Sequence, residues 1–193
     1  MKKESEFIVL FDLDGTLCDY DSALFKDLEK IRSPKENKFF PPVKNEAPDY
    51  IKNRVELIRS STEWWANLPK HKLGFDIWNL VKKLGYRTMI LTQAPLKNSN
   101  AWAGKKVWID KNLSQLTEVT MTRDKGLVYG KVLVDDYPDY ILRWLKWRHR
   151  GIVIMPVNRD NKNFSHPQVI KYNGKNLGEV KKAIIKLNKM SVN

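Results

Sequence analysis

Phe7-Ile8-Val9-Leu10-Phe11-Asp12-Leu13-Asp14-Gly15-Thr16-Leu17 is an apolar run that ends in two carboxylates and a glycine. The apolar run predicts a short strand buried on both faces. Residues i and i+2 of an extended chain project to the same side, so Asp12 and Asp14 should lie together at the strand's carboxyl end. Ligands bind at that end of open α/β sheets, and two carboxylates there repel each other unless a cation or proton lies between them. Alternatively, Asp14 serves only the chemistry of an Asp-Gly turn.

The composition describes a folded chain of 193 residues, either one domain or one domain with a sizeable insertion. A hydrophobic content of 42% with seven Trp is enough for a core, and the apolar runs are too short to cross a membrane. Residues 1–6 are too polar for a signal peptide. The single cysteine, Cys18, excludes an internal disulfide and a cysteine-built metal site. Together these features predict a reducing, cytoplasmic setting.

The chain is strongly basic, with 35 Lys and Arg against 22 Asp and Glu, a net charge of +13. This excess favours anionic partners, either small phosphorylated molecules or nucleic acid. Alternatively, much of it belongs to solvated helix surfaces. The basic residues are scattered along the sequence, and no single block marks a nucleic-acid groove.

Hydrophobic periodicity predicts an α/β fold, a doubly wound (Rossmann-like) parallel sheet with a small helical cap inserted after the first strand. Residues 18–74 form the predicted cap, and residues 1–17 and 75–193 form the core. The cap contains predicted helices over residues 19–33 and 48–60, a loop over residues 34–48, and a short helix capped by Ser61 or Thr62 and ended by Pro69. The predicted elements of the core after residue 74 are strands over 86–92, 116–121, 132–134 and 152–155 and helices over 75–84, 98–113, 138–150 and 176–190.

Polar residues gather where the predicted strands end. The set comprises Asp12 and Asp14, Thr92, Asp135 and Asp136, with Lys125 in the loop after the third strand. If the strands are parallel, these residues meet at one edge of the sheet. Carboxylate oxygens suit Mg²⁺, and a hydroxyl and an ammonium suit a phosphate.

Each of these assignments has a simpler alternative. Asp135 and Asp136 could cap the helix that Pro138 begins, and Thr92 could be an ordinary strand-end residue. Lys106 and Lys131 are alternative candidates for the lysine at the predicted site, but the ten-residue spacing between Lys125 and Asp135 favours Lys125.

These residues resemble the four motifs of the haloacid dehalogenase superfamily in type, order and context. The resemblance covers residues 7–136 and rests mainly on Asp12-Leu13-Asp14-Gly15-Thr16-Leu17. Within the superfamily, the segments 91–97 and 122–139 are similar to those of the 5′(3′)-deoxyribonucleotidases. Ala94 is an extra residue beside Gln93, where that family has serine, so the phosphate loop could differ in shape.

The resemblance implies a mechanism and a set of site residues. Asp12 would be the nucleophile that forms an aspartyl-phosphate, and Asp14 the general acid and base. Mg²⁺ would be bound by Asp12, the main-chain carbonyl of Asp14, and Asp135, with Asp136 assisting through water or an outer contact. The residues implied to bind phosphate are Thr92, Lys125, Gln93 and Lys97. Tyr20, Trp64 and Trp65 would contact the base or sugar, or else they pack within the protein.

The sequence therefore predicts an Mg²⁺-dependent nucleotidase acting on (deoxy)ribonucleoside monophosphates. Its predicted partner is a small nucleotide, with no membrane, and the chain would be a monomer or homodimer. The alternatives are a nucleic-acid end (3′-)phosphatase, motivated by the net charge, and a phosphatase of another small phosphorylated metabolite. A non-catalytic nucleic-acid-binding protein with the same fold is a further alternative.

Overall fold

A computed structural model describes residues 7–36, 47–93 and 95–192. Residues 1–6, most of the predicted loop 34–48, and Ala94 lie outside the described residues. The chain forms two compact units. The first comprises Met1–Leu17, His71–Gln93 and Thr117–Asn193, and the second comprises Cys18–Lys70 and Ala94–Leu116.

The first unit is built on a parallel sheet. Within the described residues its strands are β1 Ile8–Phe11, β2 Arg87–Thr92, β3 Glu118–Met121, β4 Val132–Val134, β5 Ile152–Pro156 and β6 Val169–Tyr172. They lie in the order β3-β2-β1-β4-β5-β6, and every neighbouring pair is parallel. This is the doubly wound Rossmann order, so the predicted fold class is confirmed.

The helices agree with the predicted positions to within about one turn, except that α6 ends five residues before its predicted end at residue 150. They are α1 Tyr20–Lys30, α2 Asp49–Arg59, α3 Thr62–Ala66, α4 Lys72–Lys83, α5 Ser99–Asn112, α6 Pro138–Leu145 and α7 Leu177–Val192. Ser61 is the residue that caps α3, because its hydroxyl accepts the N–H of Trp64 at 3.3 Å. Gly85, with φ +75°, follows the last residue of α4 closely, as predicted for a C-terminal glycine. Among the described residues, no helix is long and apolar enough to cross a membrane.

Alternating strand residues fill the two faces of the sheet. Leu10 and Leu133 belong to a buried cluster that contains Trp144 of α6. The next residue of β1, Phe11, instead contacts Trp78 of α4, with ring centroids 4.9 Å apart. Helices therefore cover both faces, which explains why β1 is an uninterrupted apolar run.

The sequence analysis missed β6. Val169–Tyr172 is a four-residue strand with Lys171 inside it, so it lacks the continuous apolar run of the central strands. It pairs only with β5, at the edge of the described sheet.

The second unit is helical. Leu24 and Leu28 of α1 pack against Ile51 and Val55 of α2. Helix α3 packs closely on α5 at Gly104, where an added Cβ would overlap the Cβ of Trp65 and the carbonyl oxygen of Thr62.

We predict that Gly104→Ala lowers the free energy of unfolding by about 1–3 kcal/mol, because the added methyl forces α3 and α5 apart. The measurement is a urea titration followed by circular dichroism. Gly178→Ala in α7 is the matched control, since its Cβ would meet no atom within 4 Å. The control should be neutral or stabilising by up to about 1 kcal/mol. Equal effects of the two substitutions would contradict the packing argument.

Candidate active site

The centre of the site lies between β1 and β4, where the strand order reverses. From β1 the chain adds β2 and β3 on one side, and β4 then returns to the other side of β1. The main-chain N–H of Asp12 donates to the carbonyl of Val134 at 2.9 Å, so the ladder continues beyond β1. The pairing brings the residue after β1 next to the residue after β4, which is Asp135. Such a crevice at the carboxyl ends of the strands is the usual ligand site of open α/β sheets.

Three carboxylates converge in this crevice. Asp12, Asp135 and Asp136 each offer an oxygen that lies within 4.8 Å of the other two. Asp12 is only 5% exposed and Asp135 is fully buried. A group of this kind, with hard oxygen donors at one point, fits the coordination preference of Mg²⁺.

Lys125 lies among these carboxylates. Its Nζ is 2.9 Å from Asp12 Oδ1 and 2.6 Å from Asp135 Oδ2, and its side chain is 1% exposed. It also lies over the ring of Tyr140, 4.7 Å from the centroid. The two competing lysines are placed elsewhere, because Lys106 pairs with Asp110 at 2.6 Å and Lys131 lies over the ring of Tyr129.

The electrostatics of the crevice follow from burial and from the crowding of like charges. Burial raises the pKa of Asp135 to about 6, although Lys125 opposes that shift. Burial and the charges of Asp135 and Asp12 hold the pKa of Asp136 well above its usual value. Burial alone would lower the pKa of Lys125, but the charges of Asp12 and Asp135 outweigh it and raise that pKa. A bound cation would favour the ionised carboxylates, which is the behaviour expected of a metal site.

Asp136 is held by residues that the sequence analysis did not identify. Its Oδ1 accepts the Thr16 hydroxyl at 3.0 Å, and its Oδ2 accepts the Asn158 side-chain amide at 2.9 Å. Asn161, which is 1% exposed, donates to the carbonyls of Asp136 and Pro156, both at 2.9 Å. Asn158 Oδ1 in turn accepts the N–H of Asn161 at 2.9 Å. The sequence did contain a signal for these residues. Asn158 and Asn161 lie three residues apart shortly after β5, a spacing that is typical of a turn held by asparagine side chains.

The turn after β1 also approaches Asp136. Gly15 has φ +77°, and a Cβ there would overlap the Asp136 carboxylate. Both features require glycine at this position. Asp14, the predicted general acid and base, is partly buried immediately before this glycine. Its carboxylate is not one of the three in the cluster, and its predicted contribution to the metal was only its main-chain carbonyl.

Thr92 and Gln93 end β2 in the same unit. Thr92 is fully buried, its carbonyl accepts the N–H of Thr122 at 3.1 Å, and its hydroxyl donates to the carbonyl of Gln93 at 3.5 Å. Gln93 is half-buried. Their phosphate-binding roles, and that of Lys125, stay predictions.

The remaining predicted site residues belong to the second unit. Lys97 is exposed. Tyr20 stacks on Trp65 with centroids 5.6 Å apart, and the Trp64 indole N–H donates to Asp27 at 2.9 Å. Trp65 is only 1% exposed and donates to the carbonyl of Arg59 at 2.8 Å, so it packs inside its unit and offers no face for a base. Of the two tryptophans, only the partly buried Trp64 keeps an accessible surface.

Solved structures with a similar fold include hydrolases of the haloacid dehalogenase type. A haloacid dehalogenase-like family hydrolase from Xanthomonas campestris has a TM-score of 0.55 at 13% identity, covering 97% of this chain and 96% of its own. A HAD hydrolase of family IA, variant 3, from Entamoeba histolytica has a TM-score of 0.55 at 16% identity, with coverage of 95% and 99%. The resemblance to this superfamily is therefore confirmed at the level of the fold.

Curated relatives give a narrower likeness. Proteins from Bordetella bronchiseptica and Bordetella pertussis, each named "Putative 5′(3′)-deoxyribonucleotidase", are 29% identical to this chain over 163 residues. The alignments cover 79% of this chain and 86% of each relative. No protein-family model matches the chain. The fold and the names of these relatives together support a phosphatase.

We predict that Mg²⁺ raises the melting temperature, and that the rise is larger at about pH 7.5 than at about pH 5. Asp135 and Asp136 have pKa values above the ordinary range, so they keep protons in the folded state that the unfolded chain releases. Without metal, ionising them therefore destabilises the fold as pH rises from about 4, and bound Mg²⁺ removes this penalty. Differential scanning fluorimetry with and without Mg²⁺ measures both effects. Ca²⁺-free buffer with a chelator is the reference, and a rise that is larger at the lower pH would contradict the assignment.

We also predict that Asn158→Ala weakens Mg²⁺ affinity by about 10- to 100-fold, because Asp136 loses the donor that orients its Oδ2. Isothermal titration with Mg²⁺ measures the change. Asn163→Ala, at an exposed position in the same loop, is the matched control and should leave the affinity unchanged. If both variants bind Mg²⁺ like the unmodified protein, Asn158 does not act on the metal site.

Proposed function

We propose that this protein is an Mg²⁺-dependent phosphomonoesterase that hydrolyses (deoxy)ribonucleoside monophosphates. The observation that carries the proposal is the convergence of Asp12, Asp135 and Asp136 around Lys125 at the point where the strand order reverses. The fold of the hydrolases compared above and the names of the Bordetella relatives support the same reaction class. The nucleotide substrate rests on those names and on the resemblance of segments 91–97 and 122–139.

The proposed reaction has two steps. A carboxylate oxygen of Asp12 attacks phosphorus, forming an aspartyl-phosphate, and the bond to the sugar oxygen breaks as that oxygen takes a proton from Asp14. A water molecule then attacks the same phosphorus and gives a proton to Asp14. The bond to Asp12 breaks, and inorganic phosphate leaves.

The surrounding residues position the reacting groups. The 2.9 Å contact between Lys125 and Asp12 fixes the nucleophile and brings a positive charge to the place where phosphoryl oxygens would gather. Thr92 and the adjoining Gln93 would donate to those oxygens, with Lys97 as an additional contact. Mg²⁺ would be held by Asp12, Asp135 and the main-chain carbonyl of Asp14, with Asp136 assisting, and it would supply positive charge to the transferring phosphoryl group. That the helices of residues 18–74 select the base and sugar stays a prediction.

A second candidate, a nucleic-acid 3′-phosphatase, is favoured only by the net charge of +13. It differs from the nucleotidase in its substrate and not in its chemistry. Comparing mononucleotides with 3′-phosphorylated oligonucleotides at the same phosphate concentration therefore separates the two.

We predict that the protein releases phosphate from nucleoside monophosphates in the presence of Mg²⁺, and that Asp12→Asn abolishes this release because the amide cannot attack phosphorus. Asp14→Asn should lower kcat by about 10²- to 10⁴-fold, the usual contribution of one general acid. The measurement is released phosphate across a panel of 5′- and 3′-monophosphates, sugar phosphates and a 3′-phosphorylated oligonucleotide.

Lys83→Gln is the matched control, because this exposed lysine at the end of α4 lies outside the carboxylate cluster and outside the proposed substrate contacts, so it should leave kcat unchanged. Turnover of sugar phosphates alone would overturn the nucleotide substrate and leave the phosphatase chemistry standing. Unchanged activity in Asp12→Asn would overturn the mechanism itself.

A further inference from the structure

Two neighbouring segments of the first unit carry basic residues without any acidic residue. Residues 126–131 contain Lys131, and residues 146–150 contain Lys146, Arg148 and Arg150. Neither segment includes Asp or Glu. Arg143, just before them, is different because it lies 3.9 Å from the carboxylate of Asp124.

Arg148 joins the two segments. Its guanidinium donates to the carbonyl of Gly126 at 3.3 Å and to the carbonyl of Trp147 at 3.0 Å. It also lies 5.7 Å from the centroid of the Tyr129 ring, and Lys131 lies at the same distance from that ring. Cations and an aromatic face therefore occupy one surface, although they come from separate parts of the sequence.

Each of the two segments also carries one large aromatic side chain that faces solvent. Trp147 is 61% exposed and Tyr129 is 53% exposed. Lys146 lies over the Trp147 ring, 5.0 Å from its centroid. We call the group of Tyr129, Lys131, Lys146, Trp147, Arg148 and Arg150 the basic–aromatic surface.

The backbone under this surface is held firmly. The side-chain amide of Gln168 donates to the carbonyls of Arg148 at 2.9 Å, His149 at 3.3 Å and Gly151 at 2.7 Å. The indole N–H of Trp144 donates to the carbonyl of Val128 at 3.2 Å, which ties α6 to the first segment. A ligand would therefore meet a preorganised surface, and ordering it would cost little entropy.

The surface lies at the amino-terminal ends of the strands, whereas the three carboxylates lie at the carboxyl ends. Lys131 precedes β4, where its N–H donates to Ile8 and its carbonyl accepts from Ile152, the first residues of β1 and β5. Residues 146–150 follow α6, whose eight residues span about 12 Å away from the Asp135 edge. A ligand bound here does not occupy the proposed catalytic crevice.

We propose that the basic–aromatic surface binds single-stranded nucleic acid. Exposed aromatic rings stack on unpaired bases, and lysine and arginine contact the phosphates between those bases. The surface offers both kinds of contact in alternation, as Trp147 lies between Lys146 and Arg148 in the chain, and none of its six residues is acidic. An anionic membrane would use the cations but would not require two rings held at fixed positions.

Fluorescence anisotropy of a labelled oligothymidylate of roughly 20 nucleotides tests the proposal, since the site sizes of single-strand binders are about 4–16 nucleotides. The oligonucleotide carries no terminal phosphate, so its binding does not depend on the proposed hydrolysis. We expect binding whose affinity falls as salt rises, and Trp147→Ala should weaken it about 5- to 150-fold with an unchanged salt slope. Lys146→Gln should lower the salt slope by about 0.7.

Matched controls distinguish binding by the basic–aromatic surface from non-specific attraction of the oligonucleotide to the positive charge of the protein. Trp102→Ala removes an exposed tryptophan of the second unit, and Lys83→Gln removes an exposed lysine of α4; both should leave affinity and salt slope unchanged. Circular dichroism verifies that each variant is folded. Absence of binding at low salt, or equal losses in Lys83→Gln and Lys146→Gln with no loss in Trp147→Ala, would overturn the proposal. Binding to vesicles of anionic phospholipid without binding to the oligonucleotide would overturn it as well.

Discussion

The contacts of Lys125 with Asp12 and Asp135 are the constraint on which the central crevice depends. Three carboxylates and one ammonium, all ionised, leave a net charge of −2 (three minus one) in a buried place. A buried charge of this size is energetically unfavourable without a compensating cation. The raised pKa values of Asp135 and Asp136 reflect this unfavourable free energy of ionisation. A divalent cation would balance this remaining charge of −2, so the charge imbalance that destabilises the fold would favour the binding of a metal ion.

The sheet makes this arrangement possible because it fixes where the strand ends fall. Phe11 pairs with Val134 across β1 and β4, so the residues that follow these strands must lie side by side. Lys125 reaches the crevice from the 3₁₀ turn Lys125–Leu127, which is held by the Asp124 carboxylate accepting the N–H of Gly126 at 2.9 Å. The 3₁₀ turn therefore positions Lys125, and the register between β1 and β4 brings the carboxylates after these strands next to it.

The sequence alone was sufficient to predict the features of the fold and the site that depend on local sequence pattern. A continuous apolar run predicts a strand buried on both faces, and polar residues at several strand ends predict a common edge, so β1, Asp12 and Asp135 could be found in advance. Features that depend on tertiary packing could not be predicted from the sequence. The partners of Asp136 lie up to 120 residues away from it along the chain, Trp65 is buried by its neighbours in the second unit, and β6 has too mixed a pattern to be recognised. Basic residues that look scattered in the sequence become one surface only when Arg148 connects two loops.

The distribution of charge over the two edges of the sheet changes how the net charge of +13 should be interpreted. Helix α6 begins beside the buried carboxylates and ends at the basic–aromatic surface, so the two edges carry opposite charge. A polyanion held at the basic edge gains its electrostatic energy without approaching Asp12. The four cations of this surface account for only part of the excess, but they lie away from the catalytic crevice, where the buried acids would admit a phosphate only once a cation compensates them. If both proposals hold, small phosphate esters at the carboxyl ends of the strands and single strands at their amino ends would be separate ligands of the same unit.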